Sequence, residues 1–90
     1  MDEKLKEIIN HYGLNEQVIV WIEEMSELTK ELCKFQRNGY FSDNTKSEIT
    51  DVQICLDEMK IALNYLQEEQ EKEYKFKIDR QLKRKENGEK

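Results

Sequence analysis

Proline is absent from the 90 residues, glycine occurs three times and alanine once, at Ala62. Without proline no helix interior is broken, so long uninterrupted helices are favoured. Histidine occurs once, at His11, and the two cysteines, Cys33 and Cys55, form no CxxC pair. A lone histidine without such companions makes a poor zinc site. The cysteines sit in helical patterns and read as buried free thiols of a reducing, cytoplasmic protein. No apolar run approaches the roughly 18 residues that a membrane span requires. The first ten residues, MDEKLKEIIN, are acidic and amphipathic, unlike a secretory signal. No glycine-rich phosphate loop, HExxH or nucleophilic triad is present.

What the sequence has in quantity is charge. Acidic side chains number 20 and basic ones 15, for a net charge of −5, and charged residues make up 39%. Net acidity argues against a nucleic-acid polymer as partner. The excess is uneven: residues 1–68 hold 14 acids and 7 bases, net −7, whereas residues 69–90 hold 6 acids and 8 bases, net +2. The apolar residues recur at helical spacing, which a disordered chain would not show.

The pattern predicts an all-α single domain of four helices over residues 1–90. The first spans about residues 2–11, with Leu5, Ile8 and Ile9 as its stripe, and Gly13 ends it. The second runs from an N-cap at Asn15 to about Asn38, where Gly39 stops it. YFSDNT reads as a loop, with Asp43 or Asn44 capping a third helix over about 45–65. The fourth begins near residues 66–69 and runs to about Lys85, leaving a frayed tail. So polar a chain of this length buries a modest core of its own, and self-association would complete it.

The acids of the second and third helices fall in a pattern. At 100° per residue, Trp21, Met25, Leu28, Leu32 and Phe35 share a core stripe about 80° wide, and Glu23, Glu24, Glu27 and Glu31 crowd the adjoining arc. On the third helix Glu48 lies in the middle of the stripe made by Val52, Cys55, Met59, Ala62, Leu63 and Leu66, with Asp51 about 60° away at its edge. A charged group there is costly unless paired or bound to a cation. Glu24 with Glu27, and Glu48 with Asp51, are each three residues apart and so face one seam. Oxygen ligands alone suit a hard cation, Mg²⁺ or Mn²⁺, rather than Zn²⁺ or Cu²⁺. The competing reading of acids on helices is a solvated face, and Glu48 fits it least.

On the fourth helix Lys77, Arg80 and Arg84 lie within about 60° of one another, opposite the stripe Tyr74, Ile78 and Leu82. Ile54 and Ile61 on the third helix, with Ile19 and Val20 on the second, lie off the main stripes and mark a second contact surface.

WIEEMSELTKELCK followed by SEITDVQICLDEMK resembles the all-α, MazG-like nucleoside triphosphate pyrophosphohydrolases. The family pattern, EExxE and then ExxD, is matched by Glu23-Glu24-Met25-Ser26-Glu27, twenty residues, and Glu48-Ile49-Thr50-Asp51. The similarity extends from about Asn15 to Arg84 and is nearest to short single-domain forms. It implies a four-helix bundle completed by oligomerisation as a homodimer or homotetramer. It implies Mg²⁺, with Mn²⁺ as substitute, on Glu24, Glu27, Glu48 and Asp51. Glu23 would support the ligands, hold a further metal, or act as the base that orients water. The implied reaction is hydrolysis of a (deoxy)nucleoside triphosphate to the monophosphate and pyrophosphate by metal-activated water. Lys77-x-x-Arg80 is similar to a basic element after ExxD in the family. Those two are expected phosphate contacts, on the same or a neighbouring subunit, with Lys34 and Arg37 as weaker ones. Trp21, one turn before Glu24, is expected either to stack on a base or to fill the core. Two other readings stay open: a non-catalytic acidic helical module that binds a partner protein, and a nucleotide sensor without turnover.

Overall fold

The computed structural model describes residues 2–88. Four helices follow one another in the order α1 (Asp2–Tyr12), α2 (Leu14–Asn38), α3 (Asn44–Leu63) and α4 (Gln67–Glu86), and no strand occurs among the described residues. The expected all-α chain of four helices is therefore present, with ends displaced by one or two residues. Residues 89 and 90 of the expected frayed tail lie outside the described residues.

Helix ends are set by backbone geometry more than by side-chain caps. Gly13 takes φ 89° and ψ 154°, a combination open to glycine, so α1 ends and α2 begins across one residue. Its N–H donates to the Ile9 carbonyl at 2.8 Å. Asn15 accordingly lies inside α2 and does not cap it. Gly39 is left-handed at φ 79° and donates to the Phe35 carbonyl, the expected stop of α2. Asp43 occupies the N-cap of α3, yet its side chain makes no cap bond. Asn64, at φ 54°, ends α3, and Glu69 accepts the Leu66 N–H at 2.9 Å to start α4.

Helices α2 and α3 form the principal pair, and α1 lies against both. The face that α2 turns to α3 carries Gln17, Trp21, Glu24, Leu28, Glu31 and Phe35, spaced alternately four and three apart. This face is rotated by about 40° from the centre of the expected apolar stripe. Met25 and Leu32, expected in the core, are therefore exposed, while Glu31 is buried. Cys33 is also exposed, against expectation, and Cys55 is buried; both are free thiols.

Helix α4 packs against none of the other helices among the described residues. Its expected core stripe, Tyr74, Ile78 and Leu82, is exposed, as are Ala62, Leu63 and Leu66 at the corner that leads into it. The radius of gyration is 16.3 Å, against the about 12 Å of a compact domain of this length. Trp21 and Cys55 are the buried hydrophobic residues among those described. No helix of the described residues is long and apolar enough to cross a membrane.

Candidate metal centre

Antiparallel pairing of α2 and α3 sets their acids opposite one another along one seam. One carboxylate oxygen from each of Glu24, Glu48 and Asp51 lies within 4.8 Å of the other two, and all three residues are half-buried. Neighbouring oxygens around octahedral Mg²⁺ stand about 3 Å apart, a contraction within the reach of carboxylate side-chain rotation. Oε2 of Glu48 is buried and has no hydrogen-bond partner. An unsatisfied buried acceptor is uncommon in a native fold, and a missing ion is one of the few causes.

Charge in the seam is correspondingly disfavoured. Burial pushes the Glu48 carboxyl above its ordinary range, and the charges of Asp51, Glu27 and Glu31 push it the same way. The Glu24 carboxyl is raised by burial and then by Asp51, Glu48, Glu27 and Glu23. Divalent cations relieve such crowding, so the donor set fits a hard metal.

Glu27, expected to complete the ligand set, lies outside the close trio. It is exposed and stands 4.0 Å from Lys30 Nζ. Glu23 is exposed at the edge of the same arc and adds its charge to Glu24. Glu31 belongs to the loop instead. It is 4% exposed and accepts from Ser42 Oγ at 2.7 Å and from Lys34 Nζ at 3.1 Å. Those two bonds hold its carboxyl below the usual range. Lys34 is thus bound to Glu31 beside the seam, and Arg37 is exposed in the last turn of α2.

Trp21 is 6% exposed, and its indole N–H donates to Glu58 Oε1 at 2.8 Å. Of the two roles expected for it, burial favours the core over base stacking, because neither ring face is offered to solvent. Lys77 and Arg80 are not brought to the carboxylates. Both lie on α4, Lys77 beside Glu73 at 3.5 Å and Arg80 over the Phe76 ring at 5.8 Å. Arg84, also on α4, is exposed.

Glu58 was not among the expected site residues. Two signals in the sequence point to it. Glu48, Asp51, Cys55 and Glu58 follow a spacing of three, four and three along one face, and a buried indole N–H needs an acceptor. A cleft of about 480 Å³ between the start of α1 and the α3–α4 corner, lined by Lys6, Asp57, Lys60 and Tyr65 among others, contains none of the cluster's residues.

Fold and site together define an all-α chain with a carboxylate trio between two antiparallel helices. No family model, curated protein or solved structure matches the chain.

Proposed function

We propose that this chain is a Mg²⁺-dependent nucleoside triphosphate pyrophosphohydrolase of the MazG-like kind, working as a homodimer or homotetramer. The observation that supports this most is the orphaned, buried Oε2 of Glu48 inside the trio with Glu24 and Asp51. A surface acid needs no ion, but a buried acceptor without a donor does need a partner.

Glu24, Glu48 and Asp51 would hold the cation, with Glu27 joining from the rim. Mg²⁺ held there would supply neutralisation of phosphate oxygens and a water acidic enough to attack at neutral pH. Glu23, exposed beside Glu24, would orient that water and take up its proton. A triphosphate also needs cationic side chains outside the acidic seam. Lys34, bonded to Glu31, and Arg37 in the last turn of α2 would serve from the loop end, whereas Lys77 and Arg80 would reach the seam from a neighbouring copy.

Assembly is supported by α4, which packs on no other helix among the described residues and leaves Tyr74, Phe76, Ile78 and Leu82 exposed. Free cysteines agree with a reducing cytoplasm.

Pyrophosphate release from a panel of NTPs and dNTPs, with Mg²⁺ and with EDTA, tests the reading. Turnover of at least one nucleotide is expected, and Glu48→Gln should lower it about 100-fold, the scale of removing one electrostatic group from an active site. The proposal is abandoned if no nucleotide is hydrolysed and Glu48→Gln simply raises the metal-free melting temperature. That result would favour a non-catalytic acidic module.

A further inference from the structure

The seam holds a second buried carboxylate that the proposed chemistry does not use. Glu58 is 3% exposed, and its Oε1 accepts from Trp21 Nε1 at 2.8 Å and from Gln17 Nε2 at 3.2 Å. Both donors are neutral, and Glu58 forms no ion pair among the described residues. Burying a carboxylate without a cationic partner is costly, and apolar residues of similar volume often stabilise a fold as well or better. The buried Trp21 N–H needs an acceptor, but a neutral amide oxygen would meet that need, so the hydrogen bond alone does not account for a carboxylate.

Its position does. Trp21 and Gln17 lie one and two turns before Glu24 on the same face of α2. Glu58 lies two turns after Asp51 on the same face of α3. Cys55 stands between them, its thiol pushed up to about 11 by burial first and then by Glu58, Glu24 and Asp51. At the other end of the trio, Ser42 bonds Glu31 and pins the α2–α3 loop. The three carboxylates repel one another and act to part the helices. The bonds on either side oppose that parting, and the Glu58 bonds join α2 and α3 directly.

We propose that Gln17, Trp21 and Glu58 form a positioning clamp that holds α2 and α3 at the separation needed by the Glu24, Glu48 and Asp51 carboxylates before any cation arrives. The clamp rests on reading the trio as a cation site. Groups that orient metal ligands without touching the metal typically contribute 10- to 100-fold in affinity.

The test uses the full chain with Mn²⁺ as probe, its affinity measured by paramagnetic resonance, beside the melting temperature in EDTA. Glu58→Leu removes the acceptor at similar volume. Trp21→Phe removes the indole donor but keeps an aromatic ring in the core. Glu58→Gln keeps an oxygen that accepts from the indole. Glu58→Leu is expected to melt lower without metal, because the buried Trp21 N–H and Gln17 amide lose their acceptor, and to bind Mn²⁺ about tenfold more weakly or worse. Trp21→Phe should weaken binding in the same direction, and Glu58→Gln should recover most of the affinity. Trp21 is the sole tryptophan, so its single indole N–H resonance reports whether the bond persists in each variant. Wild-type binding of Mn²⁺ with both Glu58→Leu and Trp21→Phe within twofold of it overturns the clamp alone. A loss of affinity that merely follows a loss of melting temperature, without recovery in Glu58→Gln, also overturns it. A wild-type chain that binds no Mn²⁺ removes both the clamp and the cation site.

Discussion

Glu48 concentrates the physical argument at the residue scale. Its carboxyl is raised above the ordinary value of 4.5 by burial and by neighbouring acids, so the folded state takes up its proton more readily than the unfolded chain. Stability attached to this group is therefore complete below 4.5 and is lost as pH rises from 4.5 through its raised folded value. Glu24 acts in the same direction. Glu31 acts in the opposite one: its carboxyl is lowered, so its contribution is complete above 4.5 and is lost as pH falls through the lowered value. In EDTA the melting temperature should thus rise as pH falls from neutral toward 4.5, less so in Glu48→Gln, and fall at more acid pH as Glu31 is protonated. Mg²⁺ bound as proposed would compete with the same protons. The increment in melting temperature that it produces should be largest near neutral pH and shrink toward pH 5, as calorimetry with and without EDTA would measure.

At the scale of elements, the helix stops can be tested independently of the site. Gly39 holds φ 79°, and a Cβ added there would meet nothing within 4 Å. Gly39→Ala therefore carries only the backbone cost of a left-handed residue, about 1–2 kcal/mol, readable as a lower urea midpoint with unchanged slope. Nucleotide turnover and Mn²⁺ affinity should stay near wild type, because Gly39 touches no carboxylate of the trio. Helix α4 presents the opposite case. Helices of about this length are marginal in water unless an apolar face is covered, and this one exposes Tyr74 at 68% and Leu82 at 52%. Its order within a single chain depends on an N-terminal bond from Leu66 to Glu69 and on the exposed i,i+4 pairs Lys75–Asp79 and Glu73–Lys77. Exposed pairs of that kind contribute a few tenths of a kcal/mol each.

For the whole molecule, the exposed apolar surface sets the expectation. Ile19, Ile22 and Ile54 on the body, with Tyr74, Phe76, Ile78 and Leu82 on α4, exceed what scattered surface hydrophobes explain. A chain completed by its own copies has a melting temperature that rises with protein concentration. Ile78→Asp combined with Leu82→Asp should lower the sedimentation coefficient toward that of a monomer and remove this concentration dependence. In a monomer both changes would be close to neutral, as surface substitutions usually are. Sedimentation velocity on the wild type and the double variant decides between the two.

Helical periodicity, the absence of proline and the placement of Gly13 and Gly39 determined four helices and nearly all of their ends, because local geometry acts within a few residues and is written in them. The same periodicity placed Glu24, Glu48 and Asp51 toward a common seam. Which acids meet was decided only by the pairing of α2 with α3. A rotation of α2 by about 40° carried Glu31 into the interior and Met25 and Leu32 out of it, and a helical plot of one helix does not contain that angle. Glu27 stayed at the rim for the same reason. Glu58 became a partner of Trp21 through a contact spanning 37 residues, and Lys77 and Arg80 were left away from the seam because α4 packs on no other helix among the described residues. The sequence by itself determined the helices and the acidic character of one face. The tertiary structure decided which three carboxylates come within 4.8 Å of one another, since that depends on distances between helices and not on spacing along them.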